Sequence, residues 1–160
     1  MTDVADFRAQ AREIFMAGVA AADPYASVQS ALRSAPVPQG CKLIAVGKAA
    51  VRMAEAARDS VQLGPTIIVT NPENARDIPG AQGFAAAHPV PDAIGLAASE
   101  AVDALLQTTA AGEEVLVLIS GGGSALLPAP VDGVSLEDKM AVNAALLASG
   151  ADIEAMNLVR

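Results

Sequence analysis

Val115 to Ile119 is an unbroken run of five apolar residues that ends in Ser120, three consecutive glycines and Ser124. A short apolar run stopped by glycine is the pattern of a strand buried on both faces of a parallel sheet. Parallel neighbours need crossover connections, and those crossovers put helices on the sheet faces. Open parallel sheets carry their ligands just beyond the carboxyl ends of the strands. A glycine triplet there exposes backbone N–H groups with no side chain in front of them, a geometry suited to an anion and most often to phosphate. A plain tight turn, the alternative, needs only one or two glycines.

The rest of the chain has the matching alternation. Lys42–Val46 (KLIAV), Pro65–Val69 (PTIIV) and a weaker Gly83–Ala87 segment read as further strands. Between them lie helical patterns over about 49–62 and, capped by Asp92, to about Thr108. Two helices precede the first strand. In the first, Phe7, Ala11, Ile14, Phe15, Gly18 and Val19 share one apolar face. The second opens on Asp23-Pro24, a cap followed by proline at the first helical position. The polar segment from Asn71 to Ala81 reads as a loop. Ser135 and Asp138 form a capping box for a helix closed by Gly150, and Asp152 caps a last helix still running at Arg160. The expected fold is α/β, a Rossmann-like three-layer sandwich with a mostly parallel sheet and right-handed crossovers. With only about four strands and no helix stop signal at its end, it is expected to be truncated.

Charge narrows the partners. A chain of 160 residues with net charge −8 and four aromatics lacks the basic stripe and stacking rings of a nucleic-acid surface. An acidic protein that binds an anion must rely on backbone amides and a few placed cations. There are only three lysines, Lys42, Lys48 and Lys139. Cys41 is the single cysteine, so no internal disulfide or Cys-rich metal site forms. No apolar run is long enough to span a bilayer, and the N-terminus lacks a signal-peptide pattern. A cytoplasmic location is expected.

Two stock phosphate motifs are excluded. A dinucleotide fingerprint needs a glycine where Leu126 stands, and a P-loop needs a hydroxyl where Ala49 stands. Gly47-Lys48 ends the first strand and opens a helix. A lysine there can pair with phosphate or stabilise a transferring phosphoryl group, or be simply solvated. His88, the only histidine, lies between a strand and Pro89. It can bond a substrate hydroxyl, move a proton, or be satisfied by backbone. Asp92 fits a helix cap better than a metal ligand. Asn157 and Arg160, three apart on one helix face, point either into a cleft or into water.

In order, the blocks AVGKAAVRMA (Ala45–Ala54), VTNPEN (Val69–Asn74), AAHPVPD (Ala86–Asp92), LISGGGSALLPAPVDGVSLEDK (Leu118–Lys139) and LLASGADIEAMNLVR (Leu146–Arg160) resemble the class II glycerate 2-kinase family, often labelled hydroxypyruvate reductase. The resemblance implies ATP-dependent, Mg²⁺-assisted phosphorylation of D-glycerate to 2-phosphoglycerate. It implies a large Rossmann-like domain, of which residues 1–160 are the N-terminal part, and a C-terminal MOFRL domain that is absent. Lys48 falls on the family's active-site lysine. Gly121, Gly122, Gly123 and Ser124 fall on a block of the same cleft. The candidate binding set is these four with Gly47, Ser120, His88, Asn157 and Arg160. Expected partners are D-glycerate, ATP, the missing remainder of the enzyme and, in a homodimer, a second copy. The rival expectations are a hydroxypyruvate reductase and an inactive nucleotide- or anion-binding module left by truncation.

Overall fold

The structure, a computed structural model, describes residues 3–159. Two helices, α1 (Val4–Ala21) and α2 (Pro24–Ser34), lead into β1 (Lys42–Val46), α3 (Ala50–Ser60) and β2 (Thr66–Thr70). A single 3-10 turn (Pro72–Asn74), β3 (Ala81–Ala85), α4 (Ala93–Gln107) and β4 (Val115–Ile119) follow. The chain continues through a one-turn helix α5 (Gly123–Leu126), α6 (Leu136–Ser149) and α7 (Ile153–Val159). The helix starts have the expected chemistry. Asp23 accepts from the amides of Tyr25 and Ala26, Asp92 from Gly95 at 2.8 Å, and Asp152 from Ala155 at 2.9 Å. Ser135 and Asp138 close a reciprocal capping box, and Gly150 takes the left-handed conformation after α6.

All four strands are parallel, in the order β3-β2-β1-β4. The chain therefore builds outward from β1 to β2 and β3, then returns through α4 to lay β4 on the other side of β1. The reversal makes the gap between β1 and β4 the topological switch point of the sheet. Period-two alternation divides the core. Leu43, Ala45 and Ile68 face α2 and α3 with Val51, Ala54 and Ala57. Ile44, Val46, Ile67 and Val69 face the opposite way, with Ala98 of α4 and Leu126 of α5. Alanine-rich helix faces let α3 approach the sheet closely: Ala50, Ala54, Ala56 and Ala57 are all fully buried.

Two expectations need correction, and one apolar face is left bare. Strand β3 spans Ala81–Ala85, two residues earlier than Gly83–Ala87. Its parallel register with β2 starts at Thr66↔Ala81, and an edge strand tolerates the exposed Gln82 that the apolar criterion passed over. Strand β4 is not buried on both faces. Helix α4 lies over β2 and β3, so Val117 (49% exposed) and Ile119 (74% exposed), on the α4 side of the sheet, are uncovered. The apolar face of α1 packs on nothing among the described residues: Phe7, Ile14, Phe15 and Val19 are all exposed.

Of the three lysines, Lys42 is committed to the fold. It starts β1 at the amino end of the sheet, is buried, and donates to Thr109 at 3.0 Å while pairing with Glu113 at 3.1 Å. That pair holds the end of α4 and the entry to β4 against β1. Buried lysines need such partners.

Candidate active site

Two loops meet at the carboxyl side of the switch point. The first, Gly47-Lys48-Ala49, leaves β1; the second, Ser120–Gly123, leaves β4. Because β1 and β4 are in register at Val46↔Ile119, both loops start at the same level. They are tied together by backbone. The amide of Ser120 donates to the Val46 carbonyl at 2.8 Å, and that of Lys48 to the Gly121 carbonyl at 2.9 Å. The amide of Ala49 donates to the Ser120 hydroxyl oxygen at 3.0 Å, and that hydroxyl donates to the Val46 carbonyl at 3.3 Å. Ser120 is thus a clamp between the loops.

The glycines here have different reasons for being glycine. Gly47 has φ +117°, and a Cβ on it would lie 2.2 Å from the Ser120 Oγ. Only glycine allows that approach. Gly122 has φ +98°, and its Cβ would lie 3.1 Å from the His88 ring. Gly123 faces Val46 at an ordinary 3.6 Å. Gly121 has no positive φ, and a Cβ on it would enter open space. Neither packing nor backbone conformation of the described residues requires glycine at position 121.

The contact with Gly122 places the ring of His88 against the glycine loop. His88 follows β3 across a short link and precedes a cis peptide bond to Pro89. The segment is anchored from the far side by the buried Asn143 of α6, whose side-chain amide donates to the Pro89 carbonyl at 3.1 Å. Lys48, Gly121 and Ser124 are exposed, and Gly47 is buried between the loops. The expected convergence of Lys48, His88 and the glycine loop is therefore present. Asn157 lies on α7 and shares a cavity with Ser124, next to this edge and not in it. Arg160 lies outside the described residues.

Sequence reasoning passed over Glu73 and Asn71. The 3-10 turn after β2 brings Glu73 to the same edge, where its carboxylate accepts a hydrogen bond from the Asn71 side-chain amide. Asn71 is buried and also accepts from the Asn74 amide at 2.7 Å. Glu73 is held below its ordinary range by a hydrogen bond from its own backbone N–H, then by Asn71, with further electrostatic help from the nearby Lys48 and His88 side chains. The signal was available: a polar cluster directly after a predicted strand lies at the ligand edge by the same rule that placed Lys48.

An open parallel sheet with a glycine loop, a lysine, a histidine and a carboxylate gathered at its switch point defines the class: a Rossmann-like α/β domain with an anion-suited crevice. Residues 10–160 match a protein-family model described as a domain of unknown function, DUF4147. The chain belongs to that family. It is 43% identical over 152 residues to a protein of Agrobacterium vitis that carries the hydroxypyruvate reductase name, covering 93% of this chain and 34% of that one. It is 34% identical over 153 residues to a glycerate 2-kinase of Pyrococcus horikoshii, covering 89% and 35% respectively. The crystal structure of a glycerate kinase from Thermotoga maritima superposes with a TM-score of 0.82 at 36% identity, covering 92% of this chain and 36% of that one. The chain spans about a third of the length of the curated relatives it matches.

Proposed function

We propose that this chain forms the phosphate-handling side of a glycerate 2-kinase cleft, which transfers the γ-phosphoryl group of ATP to the 2-hydroxyl of D-glycerate. The observation that carries the reading is Gly121. It is a glycine that the fold does not need, in a loop hydrogen-bonded to the backbone of Lys48, facing open space where a phosphate would approach. Two relatives named as glycerate 2-kinases, from Pyrococcus horikoshii and Thermotoga maritima, support the same substrate.

In the transfer, the glycerate 2-hydroxyl oxygen bonds to the γ-phosphorus. The bond from that phosphorus to the β–γ bridging oxygen breaks, and ADP leaves with the electron pair. Lys48 neutralises charge on the transferring group, and the glycine-loop amides orient it. His88, against the loop, is assigned the hydroxyl proton. Among the described residues no three His, Cys, Asp or Glu side chains cluster as a metal cage. Mg²⁺ fits this edge as an ion carried by the triphosphate, with Glu73 the nearby carboxylate; bound there, it would offset phosphate charge.

No helix among the described residues is long and apolar enough to cross a membrane. A cytoplasmic location belongs to the same reading. So does a further cleft wall, ending in a MOFRL domain, that covers the bare faces of α1 and β4 and brings the polypeptide to the relatives' length. The test is ATP-dependent formation of 2-phosphoglycerate by the polypeptide extended to that length by its own coding sequence. The hydroxypyruvate reductase name on the Agrobacterium vitis relative favours one rival. Oxidation of NADH with hydroxypyruvate, without kinase turnover, would replace the kinase reading with that one. Binding of ATP without any turnover would favour an inactive module.

A further inference from the structure

Beside the glycine edge, α6, α7 and the 127–134 segment enclose a cavity of about 720 Å³. Its walls are aliphatic, with Leu127, Pro130, Val131, Val134 and Val142 among them. Among the described residues no carboxylate lines it, although the chain as a whole has net charge −8, and Lys139 is the one charged residue among them that does. Asn157 contributes a side-chain amide. Ser124 lines this cavity and directly follows the glycine loop, so the two spaces adjoin at that residue.

We infer that this cavity takes the nucleoside half of the nucleotide, the purine base with its ribose, while the phosphates lie along Gly121–Gly123. The inference rests on the phosphate-edge reading above and goes beyond it. Three features choose this occupant over glycerate. A three-carbon hydroxy acid has no apolar surface to set against five aliphatic walls, whereas both faces of a base are apolar. The volume lies within the usual range for sites that enclose a whole drug-sized ligand, far more than a three-carbon acid fills. The side-chain amide of Asn157 offers a donor and an acceptor together, the pair that matches the ring nitrogen and exocyclic amine of adenine. A ligand anchored by phosphate at Gly121–Gly123 reaches these walls past Ser124, so one extended molecule fits both spaces.

The probes are ATP, inorganic triphosphate, adenosine and D-glycerate, titrated by calorimetry into this chain. ATP should bind at least tenfold more tightly than triphosphate. Val142→Trp, which fills the cavity from α6, should bring ATP down to the triphosphate value and leave triphosphate unchanged. Val131→Trp fills it from the facing loop, where the residue is exposed, and serves if the first variant does not fold. Equal binding of ATP and triphosphate by the unsubstituted chain overturns the cavity assignment alone and leaves the phosphate edge standing. So does competition for the cavity by D-glycerate instead of adenosine. Failure of both ATP and triphosphate to bind overturns the phosphate edge, and the cavity assignment with it.

Discussion

Gly47 and Ser120 stand so close that a single methyl group on the glycine would lie 2.2 Å from the serine hydroxyl oxygen and 2.5 Å from its carbonyl oxygen. This approach joins the ends of β1 and β4, and everything proposed for the crevice is built on it. Gly47→Ala should therefore be a folding defect. The positive φ alone costs about 1–3 kcal/mol, and the clash with backbone adds to it. Urea denaturation checks this; an unchanged midpoint would show that the two loops are not held together as described.

Gly121→Ala should behave in the opposite way. Its Cβ meets nothing, so stability should change by no more than about 0.5 kcal/mol. Affinity for triphosphate should fall, because the added methyl occupies the approach to the loop. Paired melting curves and titrations separate the two glycines. A stable Gly121→Ala chain with undiminished affinity would remove the loop from the binding edge.

Lys48→Met should leave the melting temperature within the small range of surface substitutions. In the polypeptide extended to the relatives' length it should lower turnover by about 10²–10³, the loss usual for one donor to developing charge. Near-normal turnover in the folded variant would take Lys48 out of the mechanism.

How much of this was legible in the sequence varies with the physical cause. Lys42–Val46 and Val115–Ile119 were readable to the residue because apolar runs stopped by glycine have few other solutions. The Ser135–Asp138 capping box and the Asp23, Asp92 and Asp152 caps were readable for the same local reason. The exposure of Val117 and Ile119 was not, since it depends on α4 covering β2 and β3 and on the strand order, neither of which is a local property. The exposure of the α1 face was not legible either, because periodicity shows that a helix has an apolar side, not whether this chain covers it. Lys48 and the glycine loop were found by the strand-end rule. Glu73 was missed because the polar segment from Asn71 to Ala81 was read only as a loop.

Acid should weaken the fold through carboxylates that include, besides Glu73, Asp138 and Glu113. Asp138 is held below its ordinary 3.8 chiefly by the Ser135 side chain, and Glu113 below 4.5 by the Ala110 amide and then by Lys42. Each is depressed in the folded state. Its contribution is thus fully present above those ordinary values and is lost as pH falls through the lower folded ones. Melting temperature should be flat near neutrality and fall below about pH 4.5. Ser135→Ala should shallow that fall; an identical acid profile would show that the capping box does not depress Asp138.

The bare apolar faces should make the chain associate. Ile119→Lys on β4 and Phe15→Ser on α1 each remove an exposed apolar side chain without touching the core. Sedimentation velocity over a concentration series should show self-association that both substitutions reduce. A monomer at all concentrations would mean that these faces are not adhesive by themselves.

The most direct measurement is a residue-resolved titration of this chain with inorganic triphosphate, followed through backbone amide resonances. A phosphate crevice at the switch point predicts that Lys48, Gly121, Gly122, Gly123 and Ser124 shift together and saturate on one curve. Lys42, Thr109 and Glu113, at the opposite end of the sheet, should stay still. Shifts centred on those three, or none along the glycine loop, would contradict it.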